Sequence, residues 1–224
     1  MKFDCHMHSF RSGDSINLPK TIIHKAKEKK VSIAITDHNS IRSWKELTSL
    51  GQKAGVQVIP GEEIMTFDET NQKITGELIG LFLNELVKSG YYMEVIDSMR
   101  EQDALIVVPH PFDFLRNNFF SLKKEWKKVD CIESFNSRCY SDSFNAKAKA
   151  FAELHGIPQT AGSDAHFPEE IGSAFLEVPK ADSLEDARKL MKKGKNSVQG
   201  KRSSVMVHVK TFFAKKGFFK PKNY

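Results

Sequence analysis

The 224-residue sequence predicts an α/β chain whose parallel strands close into a barrel. Three observations predict it. Apolar runs of strand length alternate with segments of helix length along most of the chain. Several strands end in imidazoles and carboxylates, and parallel barrels place their chemistry at the carboxyl ends of strands. The first two strands also divide into a bulky apolar side, which can cover helices, and a small or polar side. A narrow interior crowded with polar groups demands that division.

Residues 2–7 read as the first strand, with Phe3, Cys5 and Met7 on one face and Asp4, His6 and His8 on the other, because side chains alternate along a strand. A helix opens at Pro19 and covers 19–30, proline being favoured in the first turn. The second strand, 31–37, sets Val31, Ile33, Ile35 and Asp37 against Ser32, Ala34, Thr36 and His38. Helix 40–54 stops at Gly55, and a third strand covers 56–60. Two extended runs, 62–67 and 73–83, flank Asp68-Glu69-Thr70-Asn71-Gln72 and read as a hairpin excursion. Helix 91–102 precedes strand 104–109, and strand 130–135 precedes helix 141–155, which Gly156-Ile157-Pro158 terminates. Strand 159–163, an extended run at 173–178 and helix 183–193 follow. No linker divides the chain, so residues 1–195 form a single domain and 196–224 a basic, aromatic tail packed on it or extending from it.

The net charge of +6 is unevenly placed: Lys192 to Tyr224 hold ten Lys or Arg and no Asp or Glu, leaving 24 basic and 28 acidic residues in 1–191. Such a tail can hold nucleic acid, a phosphorylated substrate or an acidic partner. It lacks a recognised nucleic-acid motif, which favours an extension packed through Phe212, Phe213, Phe218 and Phe219. No apolar run reaches the length of a membrane span, so no membrane partner is expected. Cys5, Cys131 and Cys139 show no Cys-x-x-Cys spacing and suit reduced thiols in a cytoplasmic protein.

Five of the eight histidines, His6, His8, His38, His110 and His166, fall in short segments at strand ends. His6 and His8 project together, as do Asp164 and His166, so each pair can grip one cation from one face. Crowded N and O ligands of this kind point to a metal-assisted hydrolase.

The ordered series Asp4-Cys5-His6-Met7-His8-Ser9, Ser12-Gly13-Asp14-Ser15, Ile35-Thr36-Asp37-His38-Asn39, Pro60-Gly61-Glu62-Glu63-Ile64, Gly76-Glu77-Leu78-Ile79-Gly80, Val108-Pro109-His110-Pro111, Ile132-Glu133-Ser134-Phe135-Asn136 and Gly162-Ser163-Asp164-Ala165-His166 resembles the PHP (polymerase and histidinol phosphatase) family over about residues 1–180. The resemblance implies a distorted, TIM-like (β/α)7 barrel and a phosphoesterase site with two or three divalent ions, Zn, Mn or Fe. It assigns His6, His8, Glu63 and Asp164 to one metal, and Asp14, His38 and His166 to a second. Glu63 bridges to a third, held with His110 and Glu77. Glu77 stands where many relatives carry histidine; a carboxylate adds negative charge and softens a preference for zinc, so Glu77 stays open between ligand and ion-pair partner. Nine side chains over three metals leave open positions of the kind catalysis needs.

Of this set, His38, Asp164 and His166 are expected to be catalytic. Arg138 is expected to clamp a substrate phosphate; Arg116, downstream of His110, is a weaker candidate for that clamp, with a surface role favoured. Glu62 is expected to face solvent, Asp4 to orient a histidine and Asp37 to support a turn or a ligand, while Glu133 stays open between supporting a ligand and pairing in a salt bridge, the structural role being favoured. His24, His155 and His208 lie outside the motifs and are expected to be noncatalytic. The implied activity is hydrolysis of phosphate esters, on a small phosphorylated metabolite or nucleotide, by a metal-bound hydroxide. Two alternatives stand beside it. One is a phosphodiesterase or 3'-5' exonuclease that uses the basic tail on nucleic acid. The other is a noncatalytic, metal-stabilised regulatory module.

Overall fold

A computed structural model describes residues 1–179 and 181–218. Ten strands form one mixed sheet: β1 (Lys2–Asp4), β2 (Ser32–Ile35), β3 (Val58–Phe67), β4 (Ile74–Leu81), β5 (Gly90–Tyr91), β6 (Leu105–Val108), β7 (Cys131–Asn136), β8 (Gln159–Gly162), β9 (Ala174–Glu177) and β10 (Ser197–Gly200). The order is β10-β9-β1-β2-β3-β4-β6-β7-β8, with β5 on the flank of β3. The sheet then closes on itself beyond the ends of β1 and β8. Cys5 N donates to Ala161 O at 3.0 Å, Asp164 N to His6 O at 2.7 Å and His8 N to Ala165 O at 3.0 Å. Seven strands, β1 to β4 and β6 to β8, therefore ring the interior, and the distorted seven-stranded barrel is present.

The barrel is not wholly parallel, as strand–helix alternation had suggested. β4 runs antiparallel to both β3 and β6, and β9 runs antiparallel to β1 and β10. The runs expected at 56–60 and 62–67 are one ten-residue strand, β3. Gly61 lets it pass close to its neighbour, since a Cβ there would lie 2.9 Å from the Gly80 carbonyl oxygen. The hairpin is likewise no excursion: β6 pairs with β4 rather than β3, which builds the returning strand into the wall.

Seven helices surround this wall among the described residues: α1 (Pro19–Lys29), α2 (Trp44–Ala54), α3 (Tyr92–Glu101), α4 (Leu122–Glu125), α5 (Asp142–His155), α6 (Leu184–Lys192) and α7 (Met206–Lys215). α1 and α2 cover Met7, Ile33, Ile35 and Val58. α3 and α5 cover Ile64, Ile106, Val108 and Ile132. A third cluster gathers Phe3, Cys5, Ala34, Ile59, Ile79, Leu105, Val107 and Cys131 against Ala187 and Met191 of α6. Six ring strands can meet in one cluster only inside the barrel, so α6 plugs the end opposite the strands' carboxyl ends. Each large side chain buried there contributes about 1.5–3 kcal/mol.

Phe3 and Cys5 thus face the interior while Met7 faces α1, and the single apolar face expected for residues 3–7 does not exist. The β1 ladder ends at Asp4, whose carboxylate accepts from Ser163 N at 2.8 Å and Gly172 N at 2.9 Å. Beyond it the chain bends across the barrel mouth.

The C-terminal segment starts on the barrel: Ser197–Gly200 is an edge strand on β9. Phe212, Phe213 and Phe218 are exposed rather than packed, and Phe219 lies outside the described residues. Among the described residues no helix is long and apolar enough to cross a membrane.

Candidate metal centre

All nine predicted ligands converge at the barrel mouth, where the parallel ring strands end; Glu77 reaches it from the antiparallel β4 and Asp14 from a loop. His6 Nε2 lies 3.2 Å from His8 Nε2, 3.3 Å from Glu63 Oε2 and 3.6 Å from Asp164 Oδ1. His8 Nε2 lies 3.3 Å from the same Glu63 oxygen and 3.2 Å from the same Asp164 oxygen. Ligands about 2.1 Å from a tetrahedral ion stand about 3.4 Å apart, so these four atoms have the spacing of a coordination shell. The buried Asp164 Oδ1 has no hydrogen-bond donor aligned on it, which a cation would remedy.

Asp14 Oδ2 faces His38 Nε2 at 3.4 Å and His166 Nε2 at 3.3 Å. Glu63 serves a third group: its Oε1 is 3.2 Å from His110 Nε2, and its Oε2 is 3.2 Å from His38 Nδ1. Glu77 joins that group, with its carboxylate 3.8 Å from His38 Nδ1 and 3.9 Å from His110 Nε2. His38 therefore stands between the second and third groups, one ring nitrogen toward each.

The backbone is bent to deliver these atoms. His110 and Asp164 take φ of 30° and 54°, and Asn39, following His38, takes 47°. Non-glycine residues in this region carry strain, and it collects where function fixes geometry. Gly162 is needed for a different reason: a Cβ there would fall 2.3 Å from His6 Cβ and 2.8 Å from Glu133 Oε1.

Surrounding polar groups set the imidazole tautomers. His166 Nδ1 is 2.8 Å from the Asp164 carbonyl, which only accepts, so the proton sits on Nδ1 and Nε2 is left for a ligand. Glu133 does the same for His6, its Oε1 lying 3.0 Å from Nδ1, while its Oε2 accepts from His110 N at 2.8 Å and Asn136 Nδ2 at 2.9 Å. This corrects the structural reading of Glu133: it orients two predicted ligands. Ser12 Oγ lies 3.1 Å from His8 Nδ1 and accepts from His38 N at 3.1 Å. Asp4, by contrast, holds backbone amides rather than an imidazole, and burial pushes its carboxyl up to about 7. Asp37 binds Ser9 N and the Ser9 and Ser43 hydroxyls, a turn-supporting role.

Four carboxylates, Asp14, Glu63, Glu77 and Asp164, share this small volume, and they set its electrostatics. Burial opposes charge on His38, but Glu63 and Asp14 outweigh it and carry its pKa to about 10. His6 rises for the same reason, with burial opposed by Asp164, Glu63 and Glu133. Burial and the Glu63 charge raise Glu77. Burial, with Arg138 behind it, pushes His166 down to about 3 despite Asp14, which keeps it neutral. Protons on His6 and His38 would offset the carboxylates, and a divalent ion bound here would take over that role.

Two arginines behave differently from expectation. Arg116 is largely covered, at 17% side-chain exposure, with Nη2 2.6 Å from Asp164 Oδ2. It is not a surface arginine: the loop between β6 and α4 folds it onto the ligand cluster. Burial works to raise the Asp164 pKa, but Arg116 and His6 outweigh it and hold that carboxyl well below the usual range. Arg138 lines the same depression, yet its Nη2 donates to Val207 O at 3.2 Å and Thr211 Oγ1 at 2.6 Å, and its Nε lies 3.5 Å from Glu170 Oε1. Its guanidinium ties α7 to the barrel.

Glu62, expected in solvent, is fully buried, and burial raises its carboxyl to about 7. It points outward from β3, away from Glu63, and accepts from Val87 N at 3.0 Å. Of the remaining histidines, His155 packs on Trp126 and Phe151, and His208 reaches the pocket rim. Ser12 and Asn136 lay within recognised motifs and were findable there; Arg116 was marked only by its place downstream of His110.

The cluster opens into a depression of about 250 Å³ lined by Asp14, His38, Glu77, Arg116, Asn117 and His166, with His208 and Thr211 of α7 on its rim. A larger cavity of about 790 Å³ lies between α5, β8 and β10 and contains none of the predicted site residues.

Comparison with known proteins bears on the family and the fold. A family model described as PHP-associated matches residues 142–196. An uncharacterised protein of Methanocaldococcus jannaschii, MJ0417, is 40% identical over 197 residues, covering 82% of this chain and 75% of its own. Among solved structures, a two-domain protein of Bacteroides vulgatus containing a predicted PHP-like metal-dependent phosphoesterase superposes with a TM-score of 0.74 at 18% identity, over 96% of this chain and 69% of that one. The lesion-specific endonuclease EndoQ of Pyrococcus furiosus superposes with a TM-score of 0.59 at 19% identity, over 88% and 57%. At such identities the structural likeness shows the fold.

Proposed function

The chain belongs to the PHP-domain family, and we propose that it is a metal-dependent phosphoesterase acting on small phosphate esters. One observation carries the reading: His6 Nε2, His8 Nε2, Glu63 Oε2 and Asp164 Oδ1 form pairs 3.2–3.6 Å apart, buried among residues that line an open depression. In this reading His6, His8, Glu63 and Asp164 hold one ion, Asp14, His38 and His166 a second, and His110, Glu77 and Glu63 a third. The ions supply an activated water and a Lewis acid. Oxygen-rich, carboxylate-heavy ligation around Glu77 favours Mn or Fe over Zn at the third position.

The chain's own residues do the rest. Arg116 brings a fixed, planar fork to the pocket floor, suited to two oxygens of a phosphoryl group. His38 is 24% exposed, more than the other histidines and carboxylates of the centre, and faces the incoming ester. Glu133, Ser12 and the Asp164 carbonyl keep the imidazoles turned toward the ions. The volume of about 250 Å³ suits a phosphorylated metabolite or a nucleotide end. The phosphoester activities named for relatives support the reaction class rather than a particular substrate.

The test is a panel of phosphomonoesters and mononucleotides offered to protein loaded with Mn, Fe or Zn, beside a His38→Ala control. Turnover that follows metal loading and disappears in the control supports the reading. Equal, metal-independent rates in both proteins would sink it.

A further inference from the structure

We propose that the outward face of α7 docks this protein onto an anionic phospholipid bilayer. Helices on a protein body ordinarily bury their apolar side; α7 does the reverse. Polar contacts hold it inward: Thr211 accepts from Arg138, and His208 stacks on Tyr140 at 3.9 Å with the rings 10° apart. Val207 is the apolar side chain it buries. Outward stand Val205, Met206, Val209, Phe212 and Phe213, joined by Phe218 just past the helix, all between 41% and 72% exposed. At about 100° per residue, positions 205, 206, 209, 212 and 213 fall within roughly a third of the helix circumference. This is one continuous apolar stripe, not scattered exposure.

Charge selects the occupant. Lys216 lies over the Phe212 ring, its Nζ 5.6 Å from the centroid, while Lys210, at the border of the stripe, is ion-paired with Glu169 at 2.9 Å. From Lys192 onward the sequence has ten basic residues and no acidic one, and of these Lys192, Arg202 and Lys210 pair with Asp130, Asp142 and Glu169. A second copy of the chain would bring two such basic segments together, which repulsion disfavours. Single-stranded nucleic acid needs open aromatic faces on which bases stack. Here Phe212 meets Phe213 edge-on at 80°, Phe213 meets Phe218 at 89°, and the remainder of the stripe is aliphatic. Aliphatic and aromatic side chains bordered by lysines match the headgroup and acyl boundary of an anionic leaflet. No membrane partner was expected from the sequence, for want of an apolar run of spanning length, but an interfacial helix needs none. Because His208 and Thr211 rim the depression, docking through α7 would hold its mouth beside the headgroups. The inference does not depend on the phosphoesterase reading.

Co-sedimentation of the full chain with phosphatidylcholine vesicles, with and without phosphatidylglycerol, tests it. The expected result is at least roughly tenfold stronger binding to the anionic vesicles, weakened by salt. A Val209→Ser/Phe212→Ser/Phe213→Ser variant should lose that binding while its circular dichroism and melting stay unchanged. Should that variant unfold, Lys216→Glu, which leaves the apolar stripe intact, should still weaken anionic binding severalfold. Absence of wild-type binding, or equal binding by the triple variant, overturns the proposal. So does a stable dimer, or capture of single-stranded oligonucleotide, that depends on the same residues when vesicles are not bound.

Discussion

Glu133→Gln changes one oxygen to an amide, and its effect can be worked out from three hydrogen bonds. Glu133 is buried, and its two oxygens receive His6 Nδ1, His110 N and Asn136 Nδ2 at 3.0, 2.8 and 2.9 Å. Glutamine offers one acceptor oxygen and one NH2. If the NH2 takes the Oε2 side it meets two donors; if it takes the Oε1 side it meets only His6. The second arrangement wins, and His6 must then move its proton to Nε2, the atom facing His8, Glu63 and Asp164. A protonated Nε2 cannot ligate. Loss of such an orienting partner lowers metal affinity about 10- to 100-fold, or about 1.4–2.8 kcal/mol. A chelator-competition titration of the metal-free protein measures it. Glu62→Gln is the control: equally buried, it accepts only from Val87 N, and its metal affinity should be unchanged. Affinity for Glu133→Gln within twofold of wild type, with the fold intact, would refute the orienting role.

Three further outcomes follow from the same geometry. Asp164→Asn removes an anionic ligand but keeps the backbone bond from residue 164 to His6 O, so the fold should persist while one metal equivalent is lost by elemental analysis and turnover falls on the order of 100-fold or more. Arg116→Ala should lower kcat/KM for a phosphate ester on the order of 100-fold, with Arg116→Lys recovering only part; steady-state kinetics at saturating metal would expose a merely structural arginine by leaving both parameters unchanged. The His38 pKa, lifted from 6.5 to about 10 by Glu63 and Asp14 against the opposing effect of burial, is a raised base. Its contribution to metal-free stability is complete below about pH 6.5 and is lost as pH rises through about 10. Melting temperature measured in chelator should therefore fall between pH 7 and 10, a fall the metal-loaded protein lacks; parallel profiles would contradict the assignment.

The candidate ligands were legible in the sequence because each lies in a short local motif. The alternation of apolar runs marked the ring strands and most helices to within a few residues. What stayed hidden depended on partners remote in the chain. The antiparallel β4 could not be read as wall, because its place depends on β6 choosing β4 over β3, a choice made by packing across some thirty residues. The sides of Phe3, Cys5 and Met7 were misjudged because the β1 ladder stops where Asp4 binds the backbone of residues 163 and 172. Arg116 and Arg138 both differ from their expected roles for the same reason. An arginine's role is set by which carboxylate it reaches, Asp164 for one and Glu170 for the other. The sequence by itself determined which side chains are candidates to ligate a cation and that most of them sit at or near strand ends. Only the closed barrel decided that all nine meet, that Glu133 aims one of their imidazoles, and that α7 turns its phenylalanines outward, because each depends on contacts between segments distant along the chain.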